Sequence, residues 1–135
     1  VKHYAEVVRY SHVMHLVSRV EGELRPEFDA LDALKALLPA GTLSGAPKVR
    51  AMELIQELEP EKRGYYGGSL GVVRWNGDID FCITIRTLRI SGDEISVQAG
   101  AGVVYDSQPL KEYEETIHKA QALMKVVNEC VDGDR

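Results

Sequence analysis

The sequence predicts an α+β domain, an antiparallel sheet with packed helices, and three observations predict it. Apolar residues recur at helical spacing in separate stretches near residues 28–38, 48–57 and 113–127. Between the second and third of these lie β-branched, strand-like runs parted by Asn76-Gly77 and Ser91-Gly92-Asp93. Asn-Gly between apolar runs is a strong hairpin signal. The resulting order is strand, two helices, three strands, helix, which segregates rather than alternates the two kinds of element.

The first element is expected over Tyr10–Val20, where partial alternation with Val13, Val17 and Val20 favours a strand. Pro26–Leu38 reads as an amphipathic helix, with Phe28, Leu31, Leu34, Leu37 and Leu38 on one side and Pro26 placed early. Pro39–Pro47 holds two prolines and two glycines and reads as a tight loop feeding a second helix, Lys48–Glu57, with Val49, Met52, Leu54 and Ile55 inward. After Pro60 three strands are expected, Tyr66–Trp75, Asp80–Ile90 and Glu94–Tyr105, forming an antiparallel meander. A last helix runs from near Ser107 and Pro109 to about Cys130, with Tyr113, Ile117, Ala120, Leu123, Met124 and Val127 on one face.

The 135 residues suit a single unit, and 44% apolar composition suggests a globular core. A net charge of -5 and a pI near 5.4 argue against a nucleic-acid or anionic-membrane surface, both of which need clustered basic residues. No apolar run approaches the roughly 20 residues that span a bilayer, and the amino terminus carries no signal-peptide stretch. A cytoplasmic setting is expected. The chain opens on Val1 and enters directly into what looks like an apolar strand or helix without a leader, which hints at an excised segment. Cys82 and Cys130 form no CxxC pair and read as reduced thiols.

Several residues have the chemistry of a site. Glu112 and Glu115 share a helix face, and two such carboxylates suit a hard divalent cation. They can equally complement the helix dipole and stay solvated. Lys119, four residues after Glu115, fits a helical ion pair or an ammonium beside a metal-bound carboxylate. Gly100-Ala101-Gly102 would weaken a strand, so the glycines point either to a bulge or to bare N–H groups that approach an anion. The triplet lacks the third glycine of a dinucleotide fingerprint, and Gly45-Ala46-Pro47-Lys48 lacks the spacing of a P-loop. Arg86 interrupts an apolar run, where its guanidinium either meets an anion or lies on an exposed edge. His15 among Met14, Leu16 and Val17 fits a satisfied core histidine as well as a catalyst. Tyr66-Gly67-Gly68 fits a strand entry with close packing.

In order along the chain, six blocks resemble the chorismate-utilising enzymes. They are Arg9–His15, Gly41–Lys48, Tyr66–Gly68, Ile85–Thr87, Ala99–Gly102, and Asp106–Pro109 leading into Glu112–Thr116. The resemblance runs from about Tyr10 to Val127. The family comprises anthranilate, aminodeoxychorismate, isochorismate and salicylate synthases, which act on one dicarboxylate, usually with Mg²⁺. Gly-Thr-Leu-Ser-Gly-Ala-Pro-Lys and Ala-Gly-Ala-Gly-Val-Val look most like the anthranilate synthases, synthase subunits of tryptophan biosynthesis. Aminodeoxychorismate synthases of the folate pathway tend to read Gly-Ser-Ile-Thr-Gly-Ala-Pro-Lys and Gly-Gly-Gly-Ile-Val and are the runner-up.

The resemblance implies that residues 1–135 are the carboxyl-terminal portion of a two-sheet α/β sandwich that binds chorismate, with its upstream part absent. By the same resemblance, Glu115 and Glu112 would hold Mg²⁺. Gly100, Ala101 and Gly102 would offer backbone donors to the ring carboxylate, and Lys119 would add charge nearby. Arg86 and Tyr66 would bind the enolpyruvyl carboxylate, Thr42 would line the pocket, and His15 would move a proton. Ammonia from a glutamine amidotransferase subunit or domain would add at ring C2 as the C4 hydroxyl leaves, and pyruvate elimination would then give the aromatic product. The remaining metal ligands and the general acid and base of the amination would lie upstream, so the chain alone is expected to lack turnover. A non-enzymatic alternative is a chain that self-associates through exposed core.

Overall fold

The computed structural model describes residues 1–9 and 14–132. The first hairpin pairs β1 (His3–Arg9) antiparallel with β2 (Met14–Arg19), with Arg9 opposite Met14 and Val7 opposite Leu16. The register slips between His3 and Glu6, where Ala5 has φ 49° and its N–H is satisfied by Ser18 Oγ at 3.0 Å. β2 is the described part of the strand expected over Tyr10–Val20. Residues 10–13 of that stretch, and with them most of the Arg9–His15 block, lie outside the described residues.

The helix expected from Pro26 begins later, as α1 (Ala30–Leu37). Asp29 is the reason. Its side chain accepts the Asp32 N–H at 2.9 Å while Asp32 accepts the Asp29 N–H at 3.2 Å, a reciprocal box that satisfies two otherwise orphaned donors. The proline-rich loop contains one helical turn, α2 (Gly41–Ser44), and Gly45 at φ 92° swings the chain into α3 (Lys48–Leu58).

The expected meander is instead two separate antiparallel hairpins. β3 (Ser69–Val73) pairs with β4 (Ile79–Ile83) across the Asn76-Gly77 turn, where the Asp78 N–H donates to Asn76 Oδ1 at 3.2 Å and Gly77 has φ 91°. β5 (Leu88–Ser91) pairs with β6 (Glu94–Val97). The expected strand Asp80–Ile90 therefore breaks. Arg86 adopts φ 51° between β4 and β5, and Thr87 Oγ1 donates to the Ile85 carbonyl at 2.8 Å. The expected strand Glu94–Tyr105 ends at Val97, which leaves Gly100-Ala101-Gly102 in open backbone beyond it and rules out a bulge within the strand. α4 (Pro109–Asp132) starts on proline and packs against β6. Among the described residues no helix is long and apolar enough to cross a membrane.

The expectation of an internal core is corrected. Among the described residues no apolar side chain is buried, and only Ser44, at 7% exposure, is. The accessible surface is 11716 Å², whereas a compact monomer of 15.0 kDa has about 7,000 Å². Val7, Leu16, Leu70, Val72, Val49 and Tyr113 all face outward at more than half exposure. These elements are amphipathic, but the layer that would cover their apolar faces is not among them.

Candidate functional site

A cavity of ≈ 310 Å³ opens where the α2 turn, the Arg63–Gly68 turn, the β4–β5 connection, the backbone after β6 and the middle of α4 converge. Thr42, Tyr66, Arg86, Gly100, Ala101, Gly102 and Lys119 all line it, joined by Leu43, Arg63, Ile85, Gln98, Ala99 and Leu123. Seven of the ten residues singled out from the sequence thus share one wall.

Tyr66 enters from a turn whose N–H donates to the Arg63 carbonyl at 3.0 Å. Its hydroxyl lies against bare Gly100, where an added Cβ would come within 2.9 Å of Tyr66 Oη. The first glycine of the triplet therefore leaves room for a close approach of the tyrosine hydroxyl. Gly67 at φ 76° presses on Leu43 and donates its N–H to the Thr84 carbonyl at 2.9 Å, fixing the turn to the end of β4.

Arg86 is exposed rather than buried, and its left-handed backbone takes the side chain out of the strand direction. Its Nη2 lies 2.7 Å from His15 Nε2. Arginine only donates, so the imidazole accepts at Nε2 and carries its own proton at Nδ1. His15 does not line the cavity but reaches it through Arg86, so it is neither buried in a core nor isolated.

From α4, Lys119 Nζ donates to the Gly100 carbonyl at 3.0 Å and pairs with Glu115 at 2.6 Å. The ammonium therefore holds the Gly100 backbone, against which the Tyr66 hydroxyl also lies. Glu115 is one bond removed from the cavity, and Glu112 lies three residues earlier on α4, half exposed. Among the described residues no group of three or more His, Cys, Asp or Glu side chains is placed to hold a metal. Two carboxylates near one face do match the donor chemistry of Mg²⁺, which takes one or two carboxylates and completes its octahedron with water and substrate oxygens.

Arg63 is the residue that sequence reasoning missed. Its guanidinium forks onto Glu59, with Nη2–Oε1 at 2.5 Å, and Nη1 donates to the Leu43 carbonyl at 2.7 Å. The Glu59 hydrogen bonds raise its pKa above the ordinary arginine value against the opposing effect of burial. Glu59 four residues before Arg63 was a visible signal, but the same spacing marks many surface pairs. A larger, mainly apolar cavity of ≈ 920 Å³ lies between α1, α3 and Arg63.

Residues 1–125 match the family of chorismate binding enzymes. The chain is 58% identical over 127 residues to anthranilate synthase component 1 of Aquifex aeolicus, covering 94% of this chain and 26% of that protein. It is 59% identical over 121 residues to the protein of the same name from Pseudomonas aeruginosa, covering 90% and 25%. The crystal structure of anthranilate synthase component I from Streptococcus pneumoniae superposes with a TM-score of 0.87 at 55% identity, over 90% of this chain and 28% of that one. A Bacillus anthracis structure described as a 2,3-dihydroxybenzoate-specific isochorismate synthase gives a TM-score of 0.83 at 35% identity, over 91% and 33%. The chain spans about a quarter of the length of the curated relatives it matches.

Proposed function

The chain belongs to the chorismate-binding enzyme family, and from that premise we propose that it is the chorismate-binding segment of an anthranilate synthase component 1. The observation that carries this reading is the convergence of Thr42, Tyr66, Arg86, Gly100–Gly102 and Lys119 on one cavity. The much higher identity to anthranilate synthases than to the isochorismate synthase structure favours it over isochorismate synthesis.

Chorismate carries two carboxylates, and the cavity offers two cationic ends. Arg86, with a planar fork of donors, binds the enolpyruvyl carboxylate together with the Tyr66 hydroxyl. The Gly100–Gly102 backbone N–H groups take the ring carboxylate, with Lys119 adding charge from behind the Gly100 carbonyl. Thr42 closes the side of the pocket. Glu115 and Glu112 are the residues that would hold Mg²⁺, which when bound supplies a positive charge against the ring carboxylate.

In the amination, ammonia forms a bond to ring C2 and the C4 hydroxyl departs as water. In the second stage the C2 proton is lost, the bond from the ring to the enolpyruvyl oxygen breaks, the methylene carbon of the departing group takes up a proton, and pyruvate leaves as the ring becomes aromatic. His15 is the proton-moving group proposed for this stage, acting at Nε2. Arg86 Nη2 lies 2.7 Å from that atom, so a carboxylate that draws the guanidinium toward itself couples substrate binding to the imidazole. The nitrogen would come from a glutamine amidotransferase partner, the setting would be cytoplasmic, and the chain by itself would not turn over, because its carboxylates supply at most part of a metal shell.

The test replaces the matching quarter of the Streptococcus pneumoniae component with this chain and supplies chorismate, ammonia and Mg²⁺. Anthranilate and pyruvate in equal amounts are expected. A folded chimera that yields isochorismate or aminodeoxychorismate instead, or no product, overturns the reading.

A further inference from the structure

We infer that Arg63 is a positioning residue for chorismate binding: it clamps Tyr66 and the Thr42 turn into place without touching the substrate itself. The inference rests on the functional reading above and deepens it. All three guanidinium nitrogens are engaged, Nε with Glu59 at 2.9 and 3.1 Å, Nη2 with Glu59 Oε1 at 2.5 Å, and Nη1 with the Leu43 carbonyl at 2.7 Å. The guanidinium carbon sits 5.6 Å from the centre of the Tyr66 ring. Three of its five N–H donors are thus committed to partners within the protein.

Each contact fixes a different part of the wall. The Leu43 carbonyl belongs to the last turn of α2 and would otherwise lack a partner, so Arg63 satisfies it and anchors the turn that carries Thr42. Glu59 caps the end of α3, so the clamp ties α3 to that turn. The ring contact sets the height of Tyr66, whose hydroxyl in turn abuts Gly100. At 26% and 34% side-chain exposure, Arg63 and Glu59 are shielded more than the other ion pairs among the described residues, which lie at 38% or above. A lysine ammonium cannot serve a carboxylate, a carbonyl 20 residues away and an aromatic face at once.

The chimera, with ammonia as nitrogen donor, tests this. Arg63→Met is expected to raise the KM for chorismate about tenfold while kcat stays within about threefold, the pattern of lost ground-state binding. Arg63→Lys should recover less than half of that loss, and Glu59→Gln should raise KM in the same direction by a smaller factor. In a Tyr66→Phe background, Arg63→Met should add little, because both act through one ring position. Full multiplication of the two KM effects, an unchanged KM in Arg63→Met, or a fall in kcat alone would each overturn the inference. If Arg63→Met does not fold, Arg63→Lys and Glu59→Gln decide by the same KM criterion. An unmutated chimera with no chorismate-dependent product overturns the functional reading and this inference with it, whereas product with normal KM in every variant overturns the inference alone.

Discussion

Arg86 and His15, 71 residues apart in sequence, meet with Nη2 2.7 Å from Nε2, so the carboxylate-binding fork and the candidate proton carrier form one unit. Their separation in the chain is bridged by two backbones, β2 and the left-handed break between β4 and β5. Arg86→Lys keeps the charge but loses the planar fork. We expect it to weaken chorismate binding by roughly 10- to 100-fold, the effect of about 1.5–3 kcal/mol for a hydrogen bond to a charged group. The KM of the chimera reads this directly, and a KM within twofold of the unmutated chain would contradict it. His15→Ala should leave amination intact and accumulate aminodeoxyisochorismate, seen by chromatography; unchanged anthranilate output would remove His15 from the proton step.

Gly100 makes a sharper prediction, because its reason is steric. Gly100→Ala puts a Cβ 2.9 Å from Tyr66 Oη, whereas the ring carbon beneath lies at 3.8 Å, an ordinary contact. The substitution should raise KM several-fold, and Tyr66→Phe in the same chain should restore much of what the added methyl costs. If the double variant is worse than either single change, the clash is not the cause.

The positions that carry this network were legible to different degrees. Helical spacing located α1, α3 and α4, and Asn76-Gly77 located the β3–β4 turn, because local periodicity and turn chemistry are written in neighbouring residues. The break at Arg86 was not legible: Ile83-Thr84-Ile85 favours continued strand, and the left-handed residue is no glycine. β1 was legible only as a strand or a helix, for another reason. His3–Arg9 presents both faces to solvent along nearly its whole length, so no alternation marks it. The cavity residues stood out through their family resemblance, and Arg63 did not, since its ion pair has the spacing of any surface pair while its contact to Leu43 spans 20 residues. Composition registered ample apolar residues but not that they stay exposed in these elements.

The two glutamates of α4 are separable by Mg²⁺ titration. Glu115 pairs with Lys119 at 2.6 Å, whereas Glu112 stands one turn earlier. Glu115→Gln should shift the Mg²⁺ concentration for half-maximal anthranilate formation upward by at least about tenfold, the scale on which metal-site partners act, and Glu112→Gln should shift it less. Equal and negligible shifts would assign the metal elsewhere.

Helix α1 supplies a pH test. The Lys35 hydrogen bond and the Asp29 N–H hold the Asp32 carboxyl below the usual aspartate range, and the same pair holds Lys35 above the usual lysine range. A depressed folded-state pKa gives stability that is present above the unfolded aspartate value and lost as pH falls through the folded one. A raised lysine pKa gives stability present below the unfolded lysine value and lost as pH rises through the folded one. Asp32→Asn keeps an oxygen for the Asp29 N–H but drops the charge. The gap in melting temperature between the two chains should therefore be flat at neutral pH and close at both the acid and alkaline limits. Asp29→Ala, by contrast, removes the N-cap and should cost about 1 kcal/mol at neutral pH.

The open apolar surface bears on the chain when it is alone in solution. Its accessible area exceeds that of a compact protein of its mass by an amount larger than a standard protein–protein interface, about 1,600 Å² in total. Exposed faces of that extent associate, and the β1–β2 hairpin offers Val7, Met14 and Leu16 together at 61%, 66% and 71% exposure. The isolated chain should therefore sediment as dimers or larger species at micromolar concentration, and Leu16→Glu should shift it toward monomer. In the chimera the same substitution should lower thermal stability if this hairpin packs on the remaining three quarters of the enzyme. A monomeric isolated chain, with a chimera indifferent to Leu16→Glu, would mean that the hairpin faces solvent in both settings and that the missing layer covers the other sheets instead.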